Sequence, residues 1–230
     1  MKKIFAFLTA AVLLIGMASF AGAENGLTNA DGFVYEIKDD GTAVIVGYTG
    51  GKKKLAIPET LDSVPVTEIG INAFYNQTKI QTVTVPGCIK QIGSGAFARC
   101  TNLTSAKIGE GVEELGDGIF NACPKLTELS LPLSVSRIES NPVSYCSKIK
   151  KIKIAKNHPY LEYLDGVLFT RPDHRLLWYP PQKRDKEYTV PDGTEIIGTF
   201  SFVESQAAGV TLPESVKRIE PAFVGCDALK

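Results

Sequence analysis

Apolar and polar positions along this chain recur in a fixed order. Ile92-Gly93-Ser94-Gly95-Ala96-Phe97 runs on through Cys100 to Leu103, and the same order stands 23 residues earlier at Ile69-Gly70, with Phe74 and Ile80. It stands again 23 residues later at Leu115-Gly116, with Phe120, Cys123 and Leu126, and one further step reaches Ile138, Val143, Cys146 and Ile149. After an interruption the order resumes at Ile197-Gly198 with Phe202, then at Ile219 with Phe223 and Cys226. A fixed period in the twenties marks a solenoid, in which each unit hides its apolar edge against its neighbours.

Inside one unit, an aromatic, a small residue three positions on and an aliphatic three beyond that predict one helical turn packed inward, as at Phe97, Cys100 and Leu103. An alternating run follows, as in Thr82-Val83-Thr84-Val85-Pro86, Thr127–Pro132 and Gly209–Pro213. Period-two alternation closed by proline predicts a short strand with one buried face. A second apolar pair closes the coil at Ile89/Ile92, Val112/Leu115, Val135/Ile138 and Val216/Ile219. The column Phe74, Phe97, Phe120, Phe202 and Phe223 is the expected core, each ring contributing about 1.5–3 kcal/mol on burial.

The repeated order Ile-Gly-x-x-Ala-Phe-x-x-Cys-x-x-Leu, with its strand ending in proline, resembles the BspA-type (Treponema pallidum-type) leucine-rich repeats of bacterial surface proteins. The resemblance covers residues 57–230. It implies a leucine-rich-repeat solenoid, mostly β with short helical turns, and attachment to host or neighbouring-cell surface proteins. Such scaffolds carry many partners, so the family alone does not name one.

The ends and the interruption depart from the period. Lys2 and Lys3, the apolar run Ile4–Phe20 and the small-x-small Ala21-Gly22-Ala23 predict a signal peptide over residues 1–23. After its removal no second long apolar run remains, so a mature protein without a transmembrane segment is expected outside the cytoplasm, secreted or at the cell surface. Residues 24–56 predict an N-terminal cap, with Phe33–Ile37 and Ala43–Tyr48 as the arms of a β-hairpin. The solenoid is expected over 57–230, with an irregular insert at 157–192: Val143 to Phe202 is 59 residues, where two regular steps need 46. Asp165–Thr170 and Arg175–Tyr179 around a Pro-Asp turn predict a second hairpin there, and its aromatics Tyr160, Tyr163, Trp178 and Tyr179 read as packing more readily than as a binding site. The last repeat is incomplete at Ala228-Leu229-Lys230. Further repeats or self-association are the expected cover for that edge.

Composition and charge narrow the function. Without Lys2 and Lys3 there are 23 basic and 25 acidic side chains, a net of −2, which offers no global field for nucleic acid. Of the five cysteines, Cys100, Cys123, Cys146 and Cys226 share one slot, filled by Gln77 and Ser205 in other copies. That ladder reads as buried free thiols packing as small hydrophobes. Neither disulfides nor zinc is expected. The two histidines, His158 and His174, have no metal-ligand spacing and no nucleophile beside them. No phosphate loop, Gly-x-Ser-x-Gly or His-Glu-x-x-His is present. The expectation is a non-catalytic binding module for a protein or glycan, with no cofactor and no metal. The competing reading is a structural spacer within a larger surface protein. The outward strand row, and so the candidate ligand-binding set, is Thr82, Thr84, Ser105, Lys107, Glu128, Ser130, Lys151, Lys153, Glu187 and Thr189. Lys151 and Lys153 read first as a solvated edge that discourages sheet association, and as its candidates for an acidic ligand second.

Overall fold

The structure is a computed structural model that describes residues 26–230; the expected signal peptide lies outside the described residues. Alternating runs become short strands, each flanked by turns. The cap and the first coil carry β1 (Leu27–Thr28), β2 (Phe33–Ile37), β3 (Ala43–Tyr48), β4 (Lys54–Ala56), β5 (Thr60–Leu61) and β6 (Val64–Ile69). The regular coils carry β7 (Thr82–Val85), β8 (Gln91–Ile92), β9 (Ser105–Ile108), β10 (Glu114–Leu115), β11 (Glu128–Ser130), β12 (Arg137–Ile138) and β13 (Ile152–Lys153). The insert carries β14 (Leu161–Leu164), β15 (Val167–Thr170) and β16 (Arg175–Trp178). The closing coils carry β17 (Tyr188–Thr189), β18 (Ile196–Ile197), β19 (Val210–Thr211) and β20 (Arg218–Ile219).

Each regular coil contributes one strand to each of two sheets. One sheet runs β4-β7-β9-β11-β13, parallel throughout; the other runs β1-β2-β3-β6-β8-β10-β12, with β5 paired to β6. The third side is a ladder of turns, and here the expected helical turns do not form: the described residues contain no helix. The reason lies in the backbone. The residue two places after the core position is left-handed in coil after coil, at Asn76, Arg99, Ala122, Tyr145 and Glu204, with φ between 54° and 59°. Asn72, Gly95, Gly118 and Phe200, two places before it, are left-handed as well. A right-handed helix cannot contain such residues. Alternate N–H groups therefore leave the coil. Phe74 N donates to Ala96 O at 2.7 Å, Phe97 N to Ile119 O at 2.8 Å and Phe120 N to Pro142 O at 3.0 Å, while Tyr75 N bonds locally to Asn72 O. A helix would keep these donors for itself and leave the next coil unpaired. Close stacking also fixes the Ile-Gly step: a Cβ on Gly93 would lie 2.7 Å from the Ile71 backbone nitrogen.

The core is a pair of aromatic stacks, where one column was expected. Tyr48, Phe74, Phe97 and Phe120 follow one another at centroid spacings of 5.5, 4.9 and 5.5 Å, and Val143 ends the run. A second stack, Tyr179, Phe202 and Phe223, has spacings of 4.9 and 4.9 Å. Between them stands the insert hairpin. β15 and β16 are antiparallel and β16 then pairs in parallel with β18, as β2 and β3 are antiparallel and β3 pairs in parallel with β6. The insert thus repeats the cap. Leu168, Leu177 and Trp178 belong to the first core, while Val167, Phe169, Leu176 and Tyr179 belong to the second. A hairpin with two apolar faces can serve as a septum because successive side chains point opposite ways. On the turn side the two blocks touch directly, where Asn141 Nδ2 donates to Phe200 O at 2.8 Å.

The cysteine slot does more than fill space. Cys100, Cys123, Cys146 and Cys226 donate their thiols to the carbonyls of Phe74, Phe97, Phe120 and Phe202, at 3.2, 3.2, 3.0 and 2.9 Å. Gln77 makes the equivalent bond to Tyr48 O at 2.8 Å. Every cysteine is free. Burial pushes the Cys100 thiol up to about 12, and the hydrogen bond with Cys146, together with burial, raises Cys123 as well.

Candidate ligand-binding face

Strand register aligns the sheet β4-β7-β9-β11-β13 into three rows. Leu55, Val83, Ala106, Leu129 and Ile152 form the buried row. Outward on one side of it stand Lys54, Thr82, Ser105 and Glu128, and on the other Ala56, Thr84, Lys107, Ser130 and Lys153. The outward rows line a shallow trough of about 780 Å³ whose polar wall is Thr82, Thr84, Ser105, Lys107, Glu128, Ser130 and Lys153, with Glu110 and Leu133 at the corner. Seven of the ten candidate residues therefore come together on one surface. The ion pairs of the same coils, Lys90–Glu113 at 3.1 Å and Arg137–Glu114 at 3.4 Å, lie along the other sheet, outside the trough. Among the described residues, Lys107, Glu128 and Lys153 take part in no ion pair.

The other three candidates lie elsewhere. Lys151 does not line the trough; its ammonium sits 5.3 Å from the centroid of the Tyr163 ring. Tyr163 in turn closes the open edge of β13: its hydroxyl accepts from Ile152 N at 3.0 Å and donates to Ile152 O at 2.9 Å. Burial raises the Tyr163 hydroxyl to about 12, so it holds its proton for that second bond. Glu187 and Thr189 are separated as well, since β17 pairs only with β19 in a sheet of its own. At the edge of β13, the Tyr163 side chain of the septum stands where a next strand of the ladder would bond.

Two polar clusters escaped the linear reading. His158, 1% exposed, contacts Pro132 O through Nε2 at 2.9 Å and receives Tyr160 N and Leu161 N on Nδ1, both at 3.2 Å. It thereby pins the start of the insert to the third coil. Burial lowers its pKa. Arg175 bridges Asp173 at 2.9 Å and Glu220 at 2.7 Å, and Glu220 also accepts from Thr199 N and Oγ1. Burial alone would raise the Glu220 pKa, but the bonds from Thr199 and Arg175 outweigh it and hold the carboxyl below its usual range. Both clusters tie the septum to its neighbours, and only partners brought together by folding would have disclosed them. Of the insert's aromatics, Trp178 and Tyr179 are packed at 1% exposed each and Tyr163 is half-buried, whereas Tyr160 is exposed.

Six repeat copies, over residues 54–169 and 183–230, match the model described as a BspA type leucine rich repeat region. The chain belongs to this family. The gap between the two matched spans, residues 170–182, holds the turn and second arm of the septum hairpin, β16. No curated protein matches the chain. Among solved structures, a leucine-rich repeat protein from Bacteroides capillosus is 29% identical over 57% of this chain and 99% of its own, with a TM-score of 0.52. A leucine-rich repeat protein from Eubacterium ventriosum is 18% identical over 87% of this chain and 69% of its own, with a TM-score of 0.63. The pneumococcal vaccine antigen PcpA is 20% identical over 90% of this chain and 69% of its own, with a TM-score of 0.51. The last two likenesses concern the fold. No helix among the described residues is long and apolar enough to cross a membrane.

Proposed function

We propose that this BspA-type repeat chain is a secreted or surface-held, non-catalytic binding module acting in adhesion, and that the trough on β7, β9, β11 and β13 is its ligand face. The observation that carries this reading is the trough itself: outward Ser, Thr, Lys and Glu side chains in register on a parallel sheet, with Lys107, Glu128 and Lys153 free of ion pairs among the described residues. Polar side chains without internal partners need break no ion pair to meet a ligand, and the sheet beneath them needs no ordering on binding. The trough wall contains no histidine or cysteine, which fits recognition better than acid–base or nucleophilic chemistry. The family match and the structural likeness to a pneumococcal antigen support a place at the bacterial surface.

The size of the face limits its ligand. Four strands about 4.8 Å apart span about 14 Å and four residues along a strand about 13 Å, so the flat face offers about 190 Å². A standard protein interface takes about 800 Å² from each partner. The face therefore suits a single extended polymer chain better than the broad side of a globular protein. Ser105→Trp with Ser130→Trp would fill the trough while leaving the buried row intact. Capture of cell-surface or extracellular-matrix material by residues 26–230 should fall at least tenfold in this variant, with the melting temperature unchanged. Undiminished capture would move the ligand face elsewhere.

A further inference from the structure

The fourth coil carries lysine at all three of its outward slots, where each earlier coil carries at most one. The slot before the buried aliphatic holds Lys79, Asn102, Lys125 and Lys148; the slot after it holds Gln81, Thr104, Thr127 and Lys150. In the outward strand row, Thr84, Lys107 and Ser130 are followed by Lys153. Scaffold geometry does not demand these lysines. Thr104 Oγ1 donates to Gln81 O at 2.9 Å and Thr127 Oγ1 to Thr104 O at 3.1 Å; the lysine at position 150 gives up the hydroxyl that would continue this ladder. Like charges gathered on one coil also repel. Lysines commonly guard an exposed strand edge, but here the Tyr163 hydroxyl already satisfies Ile152 on the edge of β13. Lys148, Lys150 and Lys153 are exposed, and among the described residues they have no acidic partner.

We propose that the trough, together with the corner leading into β13, binds a linear acidic polysaccharide, with Lys107 and Lys153 gripping successive anionic sugars and Lys148 and Lys150 extending the contact. This rests on the trough being the ligand face and names the ligand's chemistry. Lys107 and Lys153 lie two strands apart with Ser130 between them, a separation of about 9.6 Å. That is close to one disaccharide of an extended glycan, so a polymer bearing one charge per disaccharide meets both ammonium groups. Ser130, Thr84 and Glu128 stand beside them to bond sugar hydroxyls.

Three alternatives fit less well. A peptide strand would dock on a free sheet edge, but at the lysine-bearing end that edge is closed by Tyr163. A neutral glycan gains much of its affinity from aromatic faces, and the trough wall has no aromatic side chain. A single-stranded nucleic acid needs the same stacking platforms.

Binding of hyaluronan and heparin oligosaccharides, neutral dextran and poly-glutamate to immobilised residues 26–230 tests the proposal, read by biolayer interferometry at low and physiological salt. At least one acidic oligosaccharide should bind and weaken as salt rises, and dextran should not bind. Lys107→Gln with Lys153→Gln should weaken that binding at least tenfold, while Lys186→Gln with Lys217→Gln leaves it unchanged. Equal effects of the two double variants, tighter binding of poly-glutamate than of either glycan, or no retention of any acidic glycan would each overturn the proposal. Loss of adhesive capture in the Ser105→Trp, Ser130→Trp variant without any glycan binding would sink the ligand assignment alone and leave the ligand face standing.

Discussion

Replacing Tyr163 by phenylalanine removes one oxygen and tests how the ligand face is terminated. The Tyr163 hydroxyl bonds both Ile152 N at 3.0 Å and Ile152 O at 2.9 Å, and the side chain of Ile152 is buried. Two hydrogen bonds, each worth about 0.5–1.5 kcal/mol net, vanish together. Water reaches part of this edge and recovers some of that loss, so a destabilisation of about 1–2 kcal/mol is expected. The ring remains, so the Lys151 contact at 5.3 Å is kept, and packing should change little. Urea unfolding of wild type and Tyr163→Phe, followed by fluorescence of Trp178, reads the difference as a shift in midpoint at constant slope. The exposed β13 edge should also raise concentration-dependent association, measurable by analytical ultracentrifugation. A midpoint identical to wild type, with no added association, would refute the claim that this hydroxyl closes the sheet.

Other outcomes follow from the stacking. Phe97 lies between Phe74 and Phe120 at 4.9 and 5.5 Å, so Phe97→Ala should cost about 3–5 kcal/mol in urea unfolding. Ala122 adopts φ 54°, a conformation that strains a side chain by about 1–2 kcal/mol; Ala122→Gly should therefore raise the melting temperature even though it removes a methyl group. Burial lowers the His158 pKa below its ordinary 6.5, so below that pH the unfolded chain binds the proton more readily than the folded one. Stability is then complete above pH 6.5 and declines as pH falls. Melting curves should show this decline in wild type and a flatter profile in His158→Gln.

Periodicity carried most of the fold because a solenoid writes its contacts as a repeat in the sequence: Phe74, Phe97 and Phe120 stand 23 apart and stack in that order. The helical turn was misread for a physical reason. Spacing of Phe97, Cys100 and Leu103 reports which side chains face inward, but not the sign of φ at Arg99. Asn76 and Gly225, with φ 59° and 68° in the same slot as Arg99, were the sequence's open hints of a left-handed position there. The septum was also legible in part. Asp165-Gly166-Val167-Leu168-Phe169 echoes Asp31-Gly32-Phe33-Val34-Tyr35 of the cap, and that echo marks a restarted solenoid. Missing it left Glu187 and Thr189 in a row that the septum in fact divides. The role of Tyr163 depends on a contact across 11 residues of irregular chain, which no period encodes.

A crystal structure of residues 26–230 would test the stacked arrangement most directly. The account predicts Phe74, Phe97 and Phe120 in one stack with centroids 4.9 and 5.5 Å apart, and Lys107 and Lys153 on one outward face. Rings dispersed among separate cores, or the two lysines on opposite sides of the molecule, would contradict it.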